Sequence, residues 1–147
     1  MLGIPEPDAD ETRANLAFGA LMRSLARPGR VETLPDPGEG SIVAALIDRE
    51  ARVFAADPRL MPRILEAGAT ICKLSEADHV FAGSLGTVAD LAGLALGSDL
   101  YPDEGATLVL RGRIGEGRRL RLTGPGIETA TEIALGGLPE GFWRFRA

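Results

Sequence analysis

This 147-residue chain has only one cysteine, one histidine and one lysine. A single cysteine, Cys72, excludes an intramolecular disulfide and fits a reducing compartment, so a cytoplasmic protein is expected. With one cysteine and one histidine, zinc sites of the usual kinds cannot form within one chain, and no metal is expected. Nucleophile–histidine catalysis would have to use His79. Ser84, in Ala82-Gly83-Ser84-Leu85-Gly86, lacks the spacing of a nucleophile elbow. A Schiff base with pyridoxal phosphate would have to use Lys73, which sits in a short apolar run without a phosphate cup around it. Neither Gly-x-Gly-x-x-Gly nor Gly-x-x-x-x-Gly-Lys occurs. There is also no apolar run of bilayer-spanning length, and Met1 to Pro7 lacks the basic start of a signal peptide. The expectation is therefore no cofactor, no catalytic constellation and no membrane.

The rest of the composition is ordinary in bulk and uneven in detail. Apolar residues make up 45% and charged residues 25%, values of a globular fold, and the length suits one domain, 1–147. A net charge of −5 argues against general nucleic-acid binding. Residues 1–110 hold nine basic and seventeen acidic side chains, a balance of −8; residues 111–147 hold seven and four, a balance of +3. Basic character, nearly all arginine, gathers at the end of the chain.

Residues 1–9 are proline-rich and acidic and are expected to be extended and mobile. From Asp10 the spacing predicts a helix with the apolar stripe Ala14, Phe18, Leu21, Met22 and Leu25. Asp8 or Asp10 caps it, and Ala26-Arg27-Pro28-Gly29 ends it. A short strand at Val31–Leu34 and a loop at Pro35–Gly40 come next. Ser41 then caps a helix over Ile42–Asp48. Arg52–Ala55 reads as a buried strand, and Asp57-Pro58 opens a helix that runs to Glu66 and stops at Gly68. Thr70–Leu74 and His79–Ala82 are short strands, and Thr87–Leu96 is an alanine- and leucine-rich helix closed by Gly97. The alternation predicts a layered α/β domain with a mixed sheet. The aromatic terminus Phe142-Trp143-Arg144-Phe145-Arg146 either docks on the core or stands before elements this chain lacks; the second is the expectation.

The last third carries the sharpest pattern. Gly105–Gly112 and Arg119–Ile127 alternate apolar and polar residues on either side of Gly115-Glu116-Gly117, which predicts a β-hairpin, with Glu128–Ile133 a polar stretch after it. Val109, Arg111 and Arg113 would share one face, and Arg119, Arg121 and Thr123 another. The turn Thr123-Gly124-Pro125-Gly126 could point main-chain amides at an anion held also by Arg111, Arg119 and Arg121. Equally, it could simply end a strand, and the arginine rows could face solvent or a protein partner. Arg27-Pro28-Gly29-Arg30 reads as a helix terminator with two solvated arginines.

Two segments in order carry a resemblance. Phe18-Gly19-Ala20-Leu21-Met22-Arg23-Ser24-Leu25-Ala26-Arg27-Pro28-Gly29-Arg30 resembles the N-terminal helix and Pro-Gly exit of the H subunit of the bacterial carbon–phosphorus lyase complex. Gly105–Leu110, followed by Leu120-Arg121-Leu122-Thr123-Gly124-Pro125-Gly126-Ile127, is similar to that family's most distinctive block. The resemblance implies an α/β/α fold similar to the large domain of pyridoxal-phosphate-dependent transferases, without the cofactor. It also implies a homodimer that assembles with G, I and J subunits in phosphonate breakdown, where a phosphonate is coupled to the ribose of ATP before the carbon–phosphorus bond is cleaved. No catalytic residue is implied. Family members continue past the segment equivalent to Phe142–Arg146 with further strands. The alternative reading is a stand-alone phosphate- or nucleotide-binding protein, or a transferase, that uses the Thr123–Gly126 turn and its neighbouring arginines.

Overall fold

The computed structural model describes residues 5–146; the expectation of a mobile start falls partly on residues 1–4, outside that range. Helix α1 spans Ala9–Ala26. Asp8 is its cap, accepting from the amides of Asp10 and Glu11 while the Glu11 side chain accepts from the Asp8 amide, a closed capping box. Helix α2 spans Glu39–Leu46. It starts earlier than predicted, at Glu39 after Gly38 at the cap position, so Ser41 lies inside it, buried, and its hydroxyl donates to the Asp36 carbonyl. After strand β1 (Arg52–Ala55) a 3₁₀ turn, Pro58–Leu60, leads into α3 (Met61–Glu66). Pro62 falls in the first turn of α3, where a missing N–H costs nothing.

Strands β2 (Thr70–Ile71), β3 (His79–Gly83) and β4 (Thr107–Leu110) join β1 in a four-stranded sheet of order β2-β1-β3-β4 in which every pairing is parallel. Strands β5 (Arg113–Leu122) and β6 (Thr131–Gly136) form a separate antiparallel ribbon. The fold is α/β as expected, but the single mixed sheet is replaced by a parallel sheet and an antiparallel ribbon. Helix α4 (Phe142–Arg146) closes the described chain, with Phe142 buried and edge-to-face on Trp143.

The predicted hairpin is corrected. β4 pairs with β3, not with β5, and the true hairpin is β5–β6, whose second strand begins in the stretch read as merely polar and runs on to Gly136. Gly115-Glu116-Gly117 is not a turn but a bulge within β5: Ile114 and Arg118 both face Leu135, so the three residues between them are extruded. Gly115 and Gly117 have positive φ, and a Cβ on Gly117 would stand 2.5 Å from Gly136 Cα. The chain turns from sheet to ribbon at Arg111-Gly112, where a Cβ on Gly112 would lie 3.2 Å from the Gly136 carbonyl.

Three further elements differ. Val31–Leu34 is unpaired and forms no strand. Of the helix predicted at Thr87–Leu96 only a 3₁₀ turn, Val88–Leu91, forms; Thr87 and Asp90 cap it, and Gly93, at φ +87°, stops the helix from continuing. The third concerns the stripe on α1. The core consists of Val43, Ile47, Leu60, Ile64, Val53, Ala55 and Phe81, with α2 and α3 covering one face of the sheet. Val80, pointing to the opposite face, is fully buried as well. Helix α1 lies outside this core and meets α2, and its buried residues are Ala17 and Ala20. Of the predicted stripe, Ala14 and Leu21 are half-buried, whereas Phe18 (47% exposed), Met22 (37%) and Leu25 (69%) face outward. Two alanines allow α1 to approach closely, so the helix docks by its small face and leaves the large one free.

Candidate functional site

Parallel α/β sheets bind ligands in the crevice at the carboxyl ends of their strands, where the strand order reverses. Here that point lies between β1 and β3, because the chain leaves β1 for β2 on one side and returns to β3 on the other. Asp57 comes after β1 there, and Arg111 comes after β4 at the same end, its amide bonded to the Gly83 carbonyl at the end of β3. Glu39, the first residue of α2, completes the group.

These side chains are already occupied with one another. Arg111 Nη2 lies 2.5 Å from Glu39 Oε2 and 3.4 Å from Asp57 Oδ2. Asp57 takes Arg59 in a two-pronged pair, with Nη2 at 2.8 Å and Nε at 3.0 Å, and its carboxylate also caps the Arg59 amide. Glu39 is buried, and its second oxygen, Oε1, meets no donor among the described residues. The Asp57 carboxyl is held well below the ordinary carboxylate range, first by the Arg59 side-chain hydrogen bond, then by the Arg59 amide, with partial burial opposing and Arg111 adding to the effect. Arg111 is raised by its hydrogen bond to Glu39 and the charge of that carboxylate. Chemically this is an internal clamp. It ties α2, β1 and β4 together at the place where a ligand would otherwise enter.

The arginines grouped by the sequence therefore separate. Arg111 belongs to the clamp. Arg119 and Arg121 are exposed on β5, alternating with the half-buried Leu120 and Leu122; Arg121 stands across the ribbon from Glu132. Among the described residues neither Arg119 nor Arg121 makes an ion pair, whereas Arg113 pairs with Glu116 at 2.6 Å. Thr123 and Gly124 are exposed, and a Cβ on Gly124 would meet nothing within 4 Å. Gly126 is different: at φ +82° its missing Cβ would lie 2.2 Å from the Ala26 carbonyl and 3.1 Å from Pro28 Cδ. Likewise, a Cβ on Gly29, at φ +90°, would lie 2.3 Å from Thr131 Cγ2.

So the two segments that carried the resemblance meet in space. The exit of α1 and the β5–β6 turn are interlocked through paired glycines, and a cleft of about 360 Å³ opens between them, lined by Arg27, Arg30, Gly126, Glu128, Thr129 and Thr131 among others. Sequence reasoning missed Arg27 and Arg30 as neighbours of the turn because 96 residues separate Arg30 from Gly126. A broader groove of about 870 Å³ runs between α1, α2 and α3, where Arg13 is paired with Asp10 and Asp36.

Lys73 is exposed beside the 3₁₀ turn Leu74–Glu76, and His79 opens β3 with a buried Nδ1 that meets no partner among the described residues. Burial raises the Cys72 thiol above its ordinary value. Among the described residues no three metal-ligating side chains gather, and no helix is long and apolar enough to cross a membrane.

Fold and site together define an α/β protein built on a short parallel sheet with a basic antiparallel ribbon, its sheet crevice closed by an ion-pair clamp. A family model described as "Bacterial phosphonate metabolism protein (PhnH)" matches residues 8–147, and the chain belongs to that family. It is also 34% identical over 140 residues, 92% of its own length and 71% of the relative's, to a protein of Stutzerimonas stutzeri provisionally named C-P lyase subunit protein HtxG. A role in bacterial phosphonate metabolism comes with the family.

Proposed function

We propose that this chain is a non-catalytic structural and assembly subunit of a carbon–phosphorus lyase complex. It acts in the cytoplasm, in the step that couples a phosphonate to the ribose of ATP. Its partners are G-, I- and J-type subunits and a second copy of itself. The four parallel strands answer, in this reading, to part of the sheet of a pyridoxal-phosphate transferase large domain, with no cofactor taken up.

The observation that carries the reading is the β5–β6 ribbon. A two-stranded ribbon is marginally stable alone. This one has a ten-residue strand with a single hydrogen-bonded neighbour, and it exposes Arg113, Arg118, Arg119 and Arg121. Arginine is favoured at protein interfaces, and an unpaired strand edge invites a partner. The outward face of α1, with Phe18, Met22 and Leu25, supports the same reading.

Two experiments test it. Deleting the gene, with no paralogue present, should abolish growth on an alkylphosphonate as sole phosphorus source; undiminished growth refutes the role. The double variant Arg119→Glu/Arg121→Glu should lose co-purification with the other subunits while it stays folded, since both side chains are exposed and neither makes an ion pair among the described residues. Intact co-purification would remove the ribbon from the interface.

A further inference from the structure

We propose that the cleft between the α1 exit and the β5–β6 turn binds a small tetrahedral oxyanion, a phosphonate or phosphate group. The lining is rich in donors. Arg27 has no ion-pair partner among the described residues, and Arg30, although paired with Glu32 at 2.7 Å through Nε, retains its terminal nitrogens. Thr129 and Thr131 add hydroxyls. The main-chain amides of Gly29, Gly126, Glu128, Thr129 and Ala130 meet no protein acceptor among the described residues; in the turn only the Ile127 amide is used, on the Gly124 carbonyl. A concave run of free amides beside guanidinium groups is an anion-binding arrangement.

Size and charge narrow the ligand. At about 360 Å³ the cleft is at the small end of ligand pockets, so it suits an anionic headgroup better than a whole nucleotide. The many separate donors favour an anion with three terminal oxygens over a carboxylate with two. Glu128 lines the same cleft and offsets part of the arginines' attraction in proportion to the charge of the anion, so binding rests on the guanidinium groups and the free amides together. The interlocked glycines fix the walls: Gly29 and Gly126 each leave no room for a Cβ, so the main-chain amides are held in place before the ligand arrives. This site is independent of the assembly role, because binding is read on the isolated chain.

The test is titration of the ¹⁵N-labelled full-length protein with methylphosphonate, inorganic phosphate and ATP. Saturable amide shifts at Gly29, Gly126, Glu128 and Thr129, at millimolar ligand or below, are expected. Arg27→Ala, an exposed position that should not disturb folding, is expected to weaken binding about tenfold by removing a charge-assisted contact. Arg49→Ala, exposed and outside the cleft, should leave it unchanged. Methylphosphonate binding at least as well as ATP identifies the free phosphonate as ligand; ATP binding tighter identifies a nucleotide's terminal phosphate; both support the site. Absence of saturation, shifts that map elsewhere, or binding undiminished in Arg27→Ala would overturn it. The deletion phenotype is unaffected by either result, so the two proposals fail separately.

Discussion

Glu39 shows what one buried charge demands of its neighbours. Its carboxylate is 6% exposed and its charge partner is Arg111. Removing Arg111 leaves an uncompensated buried charge, which costs far more than the pair contributes when whole. Arg111→Ala should therefore lower the melting temperature by roughly 5–10 °C, and adding Glu39→Gln should restore part of the loss. Thermal melts of the two variants check this; equal losses would mean the pair is not coupled. Asp57 makes a pH prediction. Its folded-state pKa is depressed, so its contribution is fully present above the unfolded value of 3.8 and is lost as pH falls toward the folded one. Asp57→Asn should be less stable than the parent at neutral pH and converge with it below about pH 4 in urea midpoints measured across that range. Parallel curves would contradict the assignment.

Elements are decided by which side chains leave room. Gly124 and Gly126 lie two residues apart in one turn and both have positive φ, yet only Gly126 is pressed against another element. Gly124→Ala should cost about 1 kcal/mol from backbone strain alone. Gly126→Ala adds a collision with the Ala26 carbonyl and should cost about 2–4 kcal/mol. Denaturant unfolding measures both, and similar values would show that the interlock with α1 is slack. Helix α1 makes the complementary case. Leu25→Ser, on the outward face, should change stability by less than about 0.5 kcal/mol, whereas Ala17→Leu, on the buried face, should cost about 1–3 kcal/mol. A large loss from Leu25→Ser would mean that the free chain already covers that face.

At the scale of the molecule, the features that do not close on themselves lie along one route through the chain. The sheet core is sealed by α2 and α3, and the crevice at its strand ends is shut by Arg111, Glu39 and Asp57. The outer face of α1, the edges of the ribbon and the cleft where the two join stay open. A folded protein that exposes an apolar helix stripe together with a basic ribbon is built for company, which is the property an assembly subunit needs. Loss of co-purification on charge reversal of Arg119 and Arg121, without loss of folding, is the expected signature at this scale.

Sequence alone determined the local terms. A cap at Asp8 or Asp10, the Arg-Pro-Gly exit, the Asp57-Pro58 start and the strands at 52–55 and 79–82 all rest on residues near one another, where propensity and capping act; the family resemblance rests on two such local segments in order. Tertiary structure decided the pairings. The alternation in 107–122 states that strands form but not which edge each will meet, and β4 found the free edge of β3 while β5 waited for β6. Period 3.6 states that α1 has an apolar stripe but not which face is buried, and two alanines settled that through close approach to α2. Arg111 left the arginine group for the same reason: its nearest charges, Glu39 and Asp57, are 72 and 54 residues away in sequence and in hydrogen-bond contact only once the sheet has formed.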